Sequence, residues 1–166
     1  MNKMNEFDIS NGNVLIRYGQ EDIFEMDKTE IANVLLHGKY SIDALVVYLH
    51  FNRNYPEYQN VYVPKNEDFG LLYDGEKWTV HLKEKIIDDI YDDKKQYIID
   101  NLDELSQLIN LSQNRKNEVK QRFNNDFKII RNIKKELEST LVNNSTKINI
   151  KNSLEKFQKD DDELLN

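Results

Sequence analysis

Phe69-Gly70-Leu71-Leu72-Tyr73-Asp74-Gly75-Glu76-Lys77-Trp78-Thr79-Val80-His81-Leu82 decides the fold. Two β-leaning runs flank Asp74-Gly75, a pair that tolerates positive φ and predicts a two-residue turn. The alternation of Lys77, Trp78, Thr79, Val80 and His81 suits a half-buried strand. Upstream, Asn60-Val61-Tyr62-Val63 reads as another strand, so an antiparallel hairpin or three-stranded meander is expected. A lone hairpin is marginal in water, and the two helices before it are expected to support it. Asp27 as N-cap with Glu30 at N3 opens the first of these, which carries Ile31, Val34 and Leu35 and stops near Gly38. Ser41 caps the second, through Ala44, Leu45, Tyr48 and Leu49. Val14 to Tyr18 forms a short β-leaning run ended by Gly19.

Downstream of the hairpin the period becomes helical. Leu82, Ile86, Ile90, Tyr97, Leu102, Leu105 and Ile109 recur at threes and fours, with one skip at Lys94. After a break at Asn110 to Asn114, a stripe runs Val119, Phe123, Phe127, Ile130, Ile133, Leu137, Leu141. Its spacings of 4, 4, 3, 3, 4 and 4 predict one helix over 112–142, about 45 Å long at 1.5 Å per residue. A third helix is expected through Ile150, Leu154 and Phe157. The prediction is an α+β fold: two short helices with a small antiparallel sheet, followed by a mostly helical C-terminal half. Its divisions are a flexible arm (1–13), an α+β domain (14–81), a helical region (82–159) and an acidic tail (160–166).

The composition removes whole classes of function. With Cys 0 there is no disulfide, Cys-based zinc site or cysteine nucleophile. No apolar run reaches the roughly 18 residues of a membrane span, and Met1 to Gly12 lacks the apolar core of a secretory signal. No phosphate-binding glycine loop, nucleophile elbow or His-Glu-x-x-His motif occurs. Lys outnumbers Arg eighteen to five and the only alanines are Ala32 and Ala44, which points to an AT-rich genome.

Net charge is −7, against bulk attraction to phosphate or anionic lipid. The exception is 112–142, where Arg115, Lys116, Lys120, Arg122, Lys128, Arg131, Lys134 and Lys135 outnumber Glu118, Asp126, Glu136 and Glu138. A basic helix face is a common footprint for nucleic acid. The bland reading is a solvated surface balancing the acidic helix before it, where Asp88, Asp89, Asp92 and Asp93 stack at i, i+4.

The densest local motif is the loop His50, Asn52, Pro56, Asn60. His-x-Asn followed by Asn-Val resembles the first two elements of an HNH nuclease, in which a His activates water beside a metal. The third, metal-facing element is missing between Val61 and Gly70. The simpler reading is that His50 and Asn52 tie the loop down through side-chain to backbone hydrogen bonds. His37, His50 and His81 lack the paired spacing of a zinc site. Trp78 reads as core before it reads as a stacking platform for bases.

Gly19-Gln20-Glu21-Asp22-Ile23, Leu49-His50-Phe51-Asn52, Pro56-Glu57, Asn60-Val61-Tyr62-Val63, Tyr73-Asp74-Gly75, Trp78 and Ile86-Ile87-Asp88-Asp89-Ile90-Tyr91 occur in order. Together they are similar to an uncharacterised module of nucleocytoplasmic large DNA virus proteins, mimivirus-like ones in particular, over about 17–105. The resemblance implies a viral source and the cytoplasm of an infected host cell, and no known reaction. In such proteins the module often follows a Cys/His zinc-finger-like segment, which this chain lacks, so a nucleic-acid role carried by that finger does not transfer.

The expected function is a non-catalytic interaction and assembly module, without cofactor or metal. It would form a homo-oligomer through Val119, Phe123, Phe127, Ile130, Ile133 and Leu137. Viral or host proteins are the further partners expected. The alternative is a nucleic-acid-binding accessory protein using Arg115, Lys116, Lys120, Arg122, Arg131, Lys134 and Lys135, and the third a divergent HNH-like nuclease.

Overall fold

The computed structural model describes residues 15–36, 41–123 and 126–146. The expected arm, His37, Gly38, the third helix and the acidic tail lie outside the described residues. The fold is α+β, with five α-helices and one three-stranded sheet among the described residues. Helices α1 (Lys28–Leu36) and α2 (Ser41–His50) precede β1 (Val61–Tyr62), β2 (Phe69–Tyr73) and β3 (Trp78–Leu82). Then follow α3 (Lys83–Leu108), α4 (Gln113–Gln121) and α5 (Phe127–Ser145). Two compact units interleave along the chain. Among the described residues, one holds 15–21, 49–83 and 142–146, and the other 22–36, 41–48, 84–123 and 126–141. Helix α1 and nearly all of α2 thus fall in the same unit as α4 and nearly all of α3.

In the first unit the strands run antiparallel in the order β1-β2-β3. Val61 lies opposite Leu72, and Tyr73 opposite Trp78. Alternation puts Tyr62, Leu71, Tyr73 and Trp78 on one face and Val61, Gly70 and Leu72 on the other. Leu15, Leu71 and Trp78 form a buried cluster with Tyr62 and Tyr73 packed against it. The run ending at Tyr18 is not a strand. It docks through Ile16 N–H to the Glu57 carbonyl (2.8 Å) and Tyr18 N–H to the Tyr73 carbonyl (2.9 Å). The hairpin loop spans Asp74 to Lys77 rather than two residues. The Asp74 carboxylate accepts from the backbone N–H of Glu76 and of Lys77, both at 2.8 Å. These bonds hold its carboxyl below the usual carboxylate range, and Gly75 supplies the required φ of +102°.

In the second unit Asp27 caps α1 as expected, accepting from Thr29 N–H (2.9 Å) and Glu30 N–H (3.2 Å). Ser112 caps α4 by accepting from Arg115 N–H at 3.2 Å. The buried stripe of α3 runs Ile86, Ile87, Ile90, Tyr91, Lys94, Ile98, Leu102 and Leu105. Lys94 is therefore no skip in the pattern. Its stem is buried along the stripe while its ammonium reaches Asp93 at 3.1 Å. Ile98 is fully buried.

The single helix expected over 112–142 is two helices. Asp126 restarts the chain as an N-cap, accepting from Lys128 N–H (2.9 Å) and Ile129 N–H (3.3 Å). Asn and Asp compete with the helix by bonding nearby backbone, and hydrophobic spacing does not register that. The helices fold back along α3: Lys116 meets Asp103 at 2.7 Å, and Lys134 meets Asp88 at 2.9 Å near the other end. No helix among the described residues is long and apolar enough to cross a membrane.

Candidate functional site

The motif loop converges on a buried polar chain in the first unit. His50 ends α2, Asn60 stands just before β1, and Glu21 follows a turn at Tyr18-Gly19. Gly19 takes φ +94° there, which a side chain would strain. His50 Nδ1 lies 2.8 Å from Asn60 Oδ1 and 3.1 Å from the Tyr58 carbonyl. Asn60 Nδ2 donates to the Ile16 carbonyl (2.9 Å) and to Glu21 Oε2 (2.7 Å). Glu21 Oε2 also accepts from Gly19 N–H at 2.9 Å.

These contacts set the chemistry of the ring. Asn60 must turn its NH₂ toward two oxygens, so its carbonyl faces His50. His50 Nδ1 then faces two acceptors and must carry a proton. The imidazole is fully buried and the Tyr18 ring lies against it, centroids 5.6 Å apart. The arrangement clamps 16–21, the end of α2 and the entry to β1 together.

The other loop residues shape backbone. Asn52 Oδ1 accepts from Asn54 N–H (3.0 Å), its carbonyl accepts from Gln59 Nε2 (3.3 Å), and Pro56 opens a single 3₁₀ turn, Pro56–Tyr58. His81 Nε2 lies 2.7 Å from Thr79 Oγ1, apart from His50 in the network. Among the described residues no group of three or more His, Asp or Glu is placed to hold a metal ion. The sequence reading missed Glu21 as a member of this chain; its only local signal is the tight turn that aims it inward.

The expected interface stripe divides. Val119, Phe123, Leu137 and Leu141 are buried inside the second unit, Ile130 and Ile133 are half-buried, and Phe127 is 70% exposed. The expected basic surface divides too. Arg115 donates to the Leu36 carbonyl (2.8 Å) at the end of α1 and to Glu118. Lys116 and Lys134 pair with Asp103 and Asp88, and the Asp103 carboxyl is held below its ordinary range, mostly by Lys116. Lys134 also lies 5.0 Å over the Tyr91 ring, and Arg131 4.9 Å over Phe127. Arg122 is half-buried, while Lys120, Lys128 and Lys135 are exposed. Arg115, Lys116, Arg131 and Lys134 are thus engaged with other side chains or carbonyls of the second unit.

Asp43 on α2 is the strongly perturbed acid of the second unit. Its Oδ2 accepts from Thr140 Oγ1 at 3.0 Å, and its Oδ1 is buried without a hydrogen-bond partner. Burial raises its pKa from 3.8 to about 6, against the Thr140 hydrogen bond and with a small push from Glu136. A carboxyl whose folded pKa exceeds its unfolded value binds its proton more tightly in the folded state. Its contribution therefore favours folding at low pH and is lost as pH rises from about 4 through about 6. Asp43→Asn is expected to remove this slope and to add about 1 kcal/mol of stability at pH 7, solvent screening at a partly exposed site keeping the gain small. Urea unfolding of both chains between pH 4 and pH 8 measures it; parallel pH profiles would contradict it.

Comparisons with protein families, with curated proteins and with solved structures gave no match to this chain.

Proposed function

We propose that the chain is a non-catalytic interaction and assembly module that associates with a second copy of itself through the first half of α5. The observation that carries this reading is Phe127, 70% exposed, beside the half-buried Ile130 and Ile133. Because Val119, Phe123 and Leu137 serve the core of their own unit, the contact surface contracts from the whole stripe to these three residues. Burying each exposed side chain is worth about 1.5–3 kcal/mol, and a two-fold axis would use the same patch on both copies. The engagement of Arg115, Lys116 and Lys134 within the second unit favours this reading over a nucleic-acid interface. The ordered resemblance over about 17–105, with the AT-rich residue usage, supports a large DNA virus as the source and infected-cell cytoplasm as the place of action.

Light scattering on the variant Phe127→Asp/Ile130→Asp tests the assignment. The substitution is expected to weaken association at least about 100-fold, from the lost burial on both copies, with an unchanged far-UV circular dichroism spectrum. Association of unchanged strength in a folded double variant would overturn it.

A further inference from the structure

We propose that the uncovered end of the sheet face carrying Trp78 is a docking site for the chain's own residues 1–14, through Phe7 and Ile9. Residues directly opposite on paired strands project to the same side. Leu71 lies opposite Val80 and Phe69 opposite Leu82, so these four share the face of Trp78. Among the described residues, Leu15 closes over Leu71 and Trp78 at one end of the face. At the other end Phe69 is 37%, Val80 58% and Leu82 69% exposed.

The size of this patch selects the kind of occupant. Three partly exposed side chains fall well short of the ~800 Å² per partner of a stable protein–protein contact. A separate molecule would gain too little there to offset the freedom lost on association. A segment of the same chain is already tethered, at an effective concentration of order mM for a short linker, so a small apolar contact suffices.

Chain connection singles out residues 1–14. They join at Leu15, which packs with Leu71, the cross-strand neighbour of Val80. The Phe69–Leu82 pair lies two residues further along the ladder, about 7 Å at the rise of a strand. Ile9 is six residues before Leu15, a reach of up to about 20 Å when extended. Ser10-Asn11-Gly12-Asn13 between them are turn-forming residues. Phe7 and Ile9 alternate with Glu6 and Asp8, so an extended run sets both apolar side chains on the sheet and both carboxylates toward water. Helix α5, by contrast, ends beside the opposite edge strand, where Ser145 Oγ accepts from Val63 N–H (2.9 Å) just past β1.

Cross-linking of the full-length Asp8→Cys/Asp68→Cys chain with a flexible bis-maleimide tests this. The chain has no cysteine of its own, and Asp68 is exposed beside Phe69. A link within one chain is expected. Adding Leu82→Asp, an exposed substitution, should slow it at least about 10-fold, since docking concentrates the two thiols beyond what the tether alone achieves. Phe7→Ser/Ile9→Ser should slow it as much and guards against a local defect in the sheet variant. Equal rates in all three chains would overturn the proposal. So would faster linking of Lys156→Cys/Asp68→Cys that Leu82→Asp slows, which would put residues 147–166 on the face. Links between chains that persist in a Phe127→Asp/Ile130→Asp background would also overturn it, by placing a second copy there independently of α5.

Discussion

Asn60→Ala is expected to lower the unfolding free energy by about 3–4 kcal/mol, a large share of the 5–15 kcal/mol typical of a domain. The substitution removes the acceptor that faces His50 Nδ1–H and the donor that serves both the Ile16 carbonyl and the Glu21 carboxylate. Each buried polar group left unsatisfied costs about 1–3 kcal/mol. The loss stops short of the full sum because the Tyr58 carbonyl still accepts from His50 and Gly19 N–H still serves Glu21. Asn60→Asp should be at least as damaging, since it sets a carboxylate against Glu21 and the Ile16 carbonyl. Urea unfolding followed by circular dichroism measures both, and a loss below about 1 kcal/mol would contradict the clamp.

Trp78→Ala should cost a similar amount, about 3–5 kcal/mol for a buried tryptophan. Trp78 is 4% exposed, clustered with Leu15 and Leu71, and meets the Tyr73 ring edge-on with centroids 5.8 Å apart. Truncation would empty the space between the docked 15–18 segment and the sheet, loosening both. Trp78→Phe keeps most of the volume and should cost about half as much. Trp78 is also the single tryptophan, so its fluorescence reports this cluster alone. Weak acrylamide quenching in the native chain, rising on unfolding, is the expected signature. Strong quenching of the folded chain would restore the stacking-platform reading.

The legible parts of this fold are those whose cause is local. Asp27 caps its helix because a short polar side chain precedes a periodic run, and Gly75 marks its turn because of its allowed φ. Longer inferences failed where a second local effect cut across the pattern. The apolar spacing continues through 119–141, yet Asp126 restarts the helix, so Phe123 is buried while Phe127 faces solvent. Lys94 looked polar in the α3 stripe, but its four-carbon stem packs like an apolar side chain. The clamp was half visible: His50 and Asn60 share a loop, whereas Glu21 is 39 residues from Asn60 and is placed only by the fold. Interleaving of the two units left no composition shift to read. The raised pKa of Asp43 comes from burial, which only the fold imposes, against a hydrogen bond from Thr140, 97 residues away.

Association with a second copy through α5, as proposed, would show in the mass of the unaltered protein in solution. Sedimentation equilibrium at micromolar concentration is expected to give twice 19.8 kDa, with dissociation on dilution. A mass of 19.8 kDa throughout the micromolar range would contradict it.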